Sequence, residues 1–306
     1  VAPAITRRAF APERDGQPII AGISYGPFRV GQRPGGPNPS AEQIKEDLEI
    51  LAPTWGMVRV YSSREPTETI LRVIQDHDIP IQVMVGAWIA APEQEGAAEA
   101  NAAEVAEAIR LANAYPEQVL AVSVGNESQV FWSGHRSDRD QLIGHIQAVR
   151  AAVEQPVTTA DDYNFWNKPE SQAVADNVDF LLLHAYAMWN QQQLGDAVPW
   201  TARTIADIQA LHPDLEIVMG ETGWATALNP EGSENEHIKA PAGEAEQLRF
   251  YTEFRDWAAE AGRPYFYFEA FDEPWKGSDD PREVEKHWGL YNVDRTPKAA
   301  RQGAQP

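Results

Sequence analysis

The chain has 306 residues, 43% of them hydrophobic, with 46 acidic side chains against 25 basic ones and a net charge of −21. This apolar share and length exclude disorder, collagen and coiled coil and suffice for a sizeable core, while the acidity excludes partners bound through phosphate neutralisation, so neither nucleic acid nor an anionic membrane surface is expected. The absence of cysteine excludes disulfides, thiolate metal ligands and cysteine nucleophiles, and no apolar stretch reaches the ~18–20 residues that cross a bilayer.

In chain order, eight short apolar or β-branched runs read as strands: IIAGISYG (19–26), GMVRVYSS (56–63), PIQVMVGAW (80–88), VLAVSVGNE (119–127), PVTTADDYN (156–164), DFLLLHAYAMW (179–189), EIVMGETGW (216–224) and PYFYFEAFDEPW (264–275). Their continuous rather than alternating apolar character suits parallel strands covered on both faces. Helical patterns lie between them. Ser40 and Gln43 form a capping box ahead of AEQIKEDLEILA, and Pro66 opens PTETILRVIQDH. GAAEANAAEVAEAIRLANA, SDRDQLIGHIQAVRAAVE, KPESQAVADN, VPWTARTIADIQALH and GEAEQLRFYTEFRDWAAEAG follow. Eight strand runs alternating with the seven helical patterns between them predict an α/β chain folded as a single (β/α)8 TIM barrel over residues 1–306. A doubly wound sheet is the competitor, but GPFRVGQRPGGPNPS after the first strand has no helix directly behind a G-x-G-x-x-G. Two long loops, 27–39 and 225–242, fall on the carboxyl-end face and are candidate walls of a cleft.

The chemistry concentrates at strand ends. The fourth strand ends in Gly125-Asn126-Glu127 and the seventh in Gly220-Glu221-Thr222-Gly223-Trp224. Each places a carboxylate at the barrel mouth behind an apolar run, where a charge is costly unless paired or used. Two such groups suit glycoside hydrolysis, one protonating the leaving oxygen while the other attacks or activates water. Asn126 is placed to bond a sugar 2-hydroxyl. Tyr25, Tyr61, Trp88, Phe131, Trp132, Tyr163, Trp166, Tyr186, Trp189, Trp224, Trp275 and Trp288 lie at or just past strand ends, and aromatic faces stack on pyranose rings. The partner these features fit is a neutral polyhydroxylated chain. His184 is expected to hydrogen-bond rather than ligate a metal, having no ligand-spaced neighbour in sequence. Arg59, buried among apolar neighbours, is expected to face a carboxylate, with Glu221 as the candidate.

GISYGPFR, VRVYSS, GAWI, VGNE, PVTTADDYNFW, GETGW and FEAFDEPWK, in that order, resemble glycoside hydrolase family 17, the β-1,3-glucanases and glucanosyltransferases, in its bacterial-type branch, over about residues 20–298. The resemblance implies an acid/base at Glu127 and a nucleophile at Glu221. It also implies that Glu273 and Lys276 form an acidic–basic pair supporting the nucleophile side, and that Tyr25 and Tyr61 lie near the cleaved bond. It implies retaining hydrolysis of a β-1,3-glucan of the laminarin type, with Glu127 raised in pKa and Glu221 lowered. Glucanosyl transfer through the same residues stays open, as do endo or exo action, a β-1,4 substrate such as mannan and a non-catalytic glucan-binding barrel. Two departures from the family pattern are Ala225-Thr226 after GETGW and the Ser128-Gln129-Val130-Phe131-Trp132 continuation after the acid. No cofactor or metal is expected, because paired carboxylates do this chemistry unaided. A polymeric substrate makes a secreted or periplasmic location the expectation, and the acidic surface and closed barrel make it a monomer.

Overall fold

In the computed structural model, which describes residues 5–302, eight parallel strands close into a barrel. They are β1 (Ala21–Ser24), β2 (Met57–Arg59), β3 (Gln82–Ala87), β4 (Val119–Asn126), β5 (Val157–Asp162), β6 (Leu181–His184), β7 (Ile217–Thr222) and β8 (Tyr265–Tyr267). Each pairs with its neighbour in chain order, and β8 closes onto β1. All eight lie inside the runs expected to form strands. The connecting helices include α1 (Ala41–Leu51), α2 (Thr67–Asp76), α3 (Ala97–Ala114) and α4 (Arg139–Ala152).

The Ser40–Gln43 capping box forms as expected, each side chain bonding the other's backbone N–H. The helix expected over KPESQAVADN does not run through. A separate short helix, α5 (Tyr163–Trp166), precedes it. The segment itself begins as a 3-10 turn at Pro169–Ser171, with Pro169 at the first position where its missing N–H is tolerated, and continues directly into the short helix α6 (Gln172–Ala175). Helices α7 (Leu194–Leu211) and α8 (Glu244–Glu260) complete the outer ring. No helix among the described residues is long and apolar enough to cross a membrane.

The interior of the barrel is layered by the two-residue period of its strands. Met57, Ala160 and Leu182 belong to an apolar layer with Met84, Val218 and Phe266. Two residues further along the same strands, Arg59, Asp162 and His184 carry that inward face up to the mouth, still buried. The end opposite the mouth is closed by the chain's own beginning, for which the sequence reading made no provision. Phe10 is buried in the apolar layer with its ring 4.7 Å from that of Phe180. Arg8 anchors it, its guanidinium donating to the carbonyls of Gln155 and Arg150 at 2.9 Å and its backbone N–H to Asp179. A two-stranded hairpin, Glu13–Arg14 with Gln17–Pro18, continues the closure, and the Arg14 guanidinium bonds the carbonyl of Pro80.

Candidate active site

Register shifts aim both central carboxylates. Along β4 and β5, Ser123 pairs with Thr158 but Asn126 with Ala160, so β4 spends an extra residue at Gly125, whose φ of 82° is the left-handed region glycine favours. Between β6 and β7, Leu183 pairs with Met219 and His184 with Glu221, so β7 bulges at Gly220. Without these bulges the strict alternation would turn Asn126 and Glu221 to the wrong side. Glu127 itself has φ 48°, and its N–H donates to the Ala160 carbonyl at 2.9 Å. Buried Asp161 holds the chain just beyond by accepting the N–H groups of Gln129 at 2.8 Å and Val130 at 3.2 Å.

The Glu221 carboxylate is 6% exposed and fully engaged. Its Oε1 accepts from the Tyr61 hydroxyl at 2.7 Å and from Arg59 Nη1 at 3.0 Å, and its Oε2 accepts from the Tyr186 hydroxyl at 2.7 Å. Arg59 is thus the ion-pair partner of Glu221. The same guanidinium donates to Asn126 Oδ1 at 2.6 Å and reaches His184 Nε2 at 3.0 Å. Since Arg59 can only donate, Nε2 is the accepting nitrogen of His184. Its Nδ1 then carries the hydrogen and donates to Glu127 Oε1 at 2.8 Å. Burial lowers the His184 pKa to about 4, so the ring works neutral.

These surroundings split the two carboxyls. Burial, reinforced by the charge of Glu221, raises the Glu127 pKa well above the carboxylate range. Burial also pushes Glu221 up, but the Arg59 guanidinium and the hydrogen bonds from the Tyr61 and Tyr186 hydroxyls outweigh it, and its pKa is lowered. Tyr61 and Tyr186, buried beside that charge, are raised and remain phenol donors. The site therefore holds one carboxylic acid and one carboxylate. One ligand atom each from Glu127, His184 and Glu221 lies within 4.8 Å of the others, which is a spacing that could hold a metal. Arg59 Nη1, at 3.0 Å from both His184 Nε2 and Glu221 Oε1, already supplies a positive charge at that point, and the donor set does not suit a second cation.

Around this centre opens a cleft of about 1510 Å³. Its lining includes Tyr25, Tyr61, Trp88, Asn126, Trp132, Tyr163, Tyr186, Trp189, Glu273, Trp275 and Lys276, with Phe131 and Trp288. Tyr25 presents its ring, while its hydroxyl turns away to Asp47, which Arg295 grips through two contacts of 2.7 Å. Lys276 bridges Glu273 at 2.6 Å and Glu269 at 2.8 Å, and the carboxylates raise its pKa against the effect of burial. Glu273 fits there only because residue 26 is glycine: a Cβ would lie 1.9 Å from its Oε1. Trp224 is a correction to the sequence reading. It is wholly buried against Phe250, its indole N–H bonded to the Pro241 carbonyl at 3.0 Å, and it lies outside the cleft lining. Trp166 is likewise core, against His212. The chain after each strand end turns those indoles toward the helices.

Three further groups escaped the sequence reading. Asp161 and Asp162 were legible in principle as two consecutive acids closing an apolar strand, and burial lifts Asp161 to about 8. Glu285 lines the cleft and is raised in pKa by burial, but it sits on a loop segment with no strand pattern to flag it. From the loop after β2, buried Ser63 bonds Glu104 of α3 through both its N–H and its hydroxyl.

Known proteins resemble this chain in sequence and fold to different degrees. The chain is 28% identical over 290 residues to a glucan 1,3-beta-glucosidase of Arthroderma benhamiae, covering 89% of this chain and 88% of the relative. The structure of an endo-laminarinase from Formosa superposes with a TM-score of 0.81 at 27% identity, covering 92% of this chain and 86% of that one. An active-site mutant of Rhizomucor miehei beta-1,3-glucanosyltransferase in complex with laminaritriose gives a TM-score of 0.74 at 22% identity, over 92% and 96% of the two chains, a likeness of fold. The model of the BtgE/BtgC glycoside hydrolase domain matches residues 22–289, a span from within β1 to beyond β8 that contains both carboxylates, and the chain belongs to that family of glycoside hydrolases.

Proposed function

We propose that this enzyme cleaves β-1,3-glucan of the laminarin type with retention, by double displacement. The observation that carries the reading is the carboxyl pair: oxygens of Glu127 and Glu221 lie within 4.8 Å, one group held protonated and the other ionised. Retaining enzymes hold their carboxyls about 5–5.5 Å apart, which leaves no room for an intervening water. His184 Nδ1–H on Glu127 Oε1 leaves Oε2 to carry the acidic proton toward the glycosidic oxygen. As that oxygen takes the proton, Glu221 attacks the anomeric carbon. Tyr61, Tyr186 and Arg59 keep its oxygens ionised and fixed in place. Glu127, now a carboxylate, then removes a proton from water, which attacks the same carbon and releases Glu221. Asn126, fixed by Arg59, offers its amide N–H to the 2-hydroxyl. The aromatic lining and the names borne by the relatives support a glucan substrate. A substrate of that size supports a location outside the cytoplasm, secreted or periplasmic, and the acidic composition and closed barrel support a monomer.

The test is early product analysis on laminarin, with the anomer of the new reducing end read by NMR. The expected result is shorter oligosaccharides appearing first as the β-anomer, with cleavage abolished in Glu221→Gln and strongly reduced in Glu127→Gln. The α-anomer appearing first, or cleavage of mannan or cellulose but not laminarin, overturns the reading.

A further inference from the structure

The loop that follows Glu127 carries two large aromatic rings out into solvent. Phe131 is 66% exposed and Trp132 49%. Exposure of that kind normally accompanies a loose loop, yet the base of this one is tied at every turn. Asp161 accepts the N–H groups of Gln129 and Val130. The Gln129 amide donates to the carbonyls of Ser128 at 2.9 Å and Ser137 at 3.1 Å, and Ser137 N–H returns to Ser128 O at 2.9 Å. His135 bonds the Asn126 carbonyl at 2.6 Å and lies 4.6 Å from the ring of Trp88. The two rings are thus apolar surface carried into water on a hydrogen-bonded base, with Lys168 Nζ 5.9 Å from the Phe131 ring, and both line the same cleft as the carboxyl pair. Holding them there has a cost that packing does not repay, which is the mark of a surface that gains when a ligand covers it.

Position fixes the occupant. The leaving part of the substrate departs beside the group that protonates it, and the loop springs from that group, Glu127. Tyr186, Glu273 and Lys276 line the cleft as well, with the Tyr186 hydroxyl on Glu221 rather than on Glu127. A chain with alternating C–H faces and hydroxyls suits flat rings, and the net charge of −21 on the protein as a whole disfavours polyanions.

We propose that Phe131 and Trp132 form a binding platform for the leaving-group side of the glucan chain. It rests on the function proposed above and adds what grips the chain beyond the cleaved bond. A second glucan chain that takes the place of the departed leaving part on the platform can also resolve the glycosyl-enzyme. Its hydroxyl oxygen attacks the anomeric carbon, its proton passes to the Glu127 carboxylate, the ester bond to Glu221 breaks, and a longer chain results. The platform thereby sets how often sugar rather than water completes the cycle.

The experiment compares wild type with Phe131→Ala, Trp132→Ala and the double variant on laminarin and on β-laminaribiosyl fluoride, whose one-atom leaving group cannot reach the platform. Both rings are exposed, so the variants should fold, and thermal melting checks this. Expected is a loss of about tenfold in kcat/KM on laminarin for Trp132→Ala and more for the double variant. Activity on the fluoride should fall far less than activity on laminarin, and products longer than the donor should fall in proportion to hydrolysis. Equal losses on both substrates, or none on laminarin, overturn the platform while leaving the proposed function standing. Concentration-dependent association of the wild type that the double variant loses overturns it in favour of a self-association patch. A wild type that cleaves no β-1,3-glucan overturns the functional reading and the platform with it.

Discussion

Replacing Arg59 with methionine should move the whole pH–activity curve toward alkali. The side chain is 1% exposed and touches Glu221, His184 and Asn126 at once. A unit charge about 4 Å from a carboxylate is worth roughly 4 kcal/mol at an effective dielectric constant near 20. At 1.36 kcal/mol per pKa unit that bounds the shift at about three units, and carboxylates beside arginine are typically lowered by about one to three. Activity requires Glu221 ionised, so the acid limb follows Glu221 and rises by that amount when the cation goes. Arg59 also lowers the Glu127 pKa, so the alkaline limb rises as well, but by less, because the guanidinium contacts Glu221 and not Glu127. The curve should therefore shift upward and narrow. Stability falls too, because a buried carboxylate loses its partner at a cost of about 3–5 kcal/mol, which lowers Tm by on the order of 10 °C in a protein of this size. Arg59→Lys should move the acid limb less, since it keeps the charge and loses the fork that orients Asn126. The assay is kcat/KM for laminarin across pH, paired with thermal melts. A fallen Tm with both limbs unmoved would refute the electrostatic argument and leave Arg59 a structural residue.

Phe10→Ala should cost about 3–5 kcal/mol by opening a cavity in the barrel's closed end, lowering the urea midpoint while leaving the pH–activity curve in place; a shifted curve would mean that the closing layer reaches the mouth. Lys276→Met should make stability fall as pH rises. In the wild type Glu273 is held below its ordinary pKa, burial being outweighed by Lys276, so its contribution is full above the unfolded value and lost as pH drops through the folded one. Without the cation, burial raises Glu273 as it already raises Glu269 in the wild type, the sign of the Glu273 contribution reverses, and the Tm gap between wild type and variant should widen from pH 4 to pH 8. A constant gap across that range would show that the lysine acts through packing alone.

The strand runs were legible because barrel strands are buried on both faces and announce themselves as unbroken apolar stretches. Glu127 and Glu221 were legible because a charge at the end of such a stretch demands an explanation, and Arg59 within GMVRVYSS for the same reason. Side-chain direction beyond a strand end was not. Trp224 and Trp288 look alike in sequence, yet one packs on Phe250 and the other lines the cleft, because the path of the loop, rather than strand period, decides which way each indole turns. The bulges at Gly125 and Gly220 were equally hidden, since they are properties of pairing between strands. Phe10 lies ahead of the first strand run, where no periodicity marks it, and its burial depends on a space that exists only once the barrel has closed.

That closure at Phe10 also gives the molecule a front and a back. The first described residues run along the face opposite the mouth, pinned by Arg8 to Asp179 and to the carbonyls of Gln155 and Arg150. A tether, a carrier or a solid support joined to the exposed side chains of that face would leave from the rear. Immobilised in that orientation, the enzyme would face a suspended polysaccharide with its cleft unobstructed.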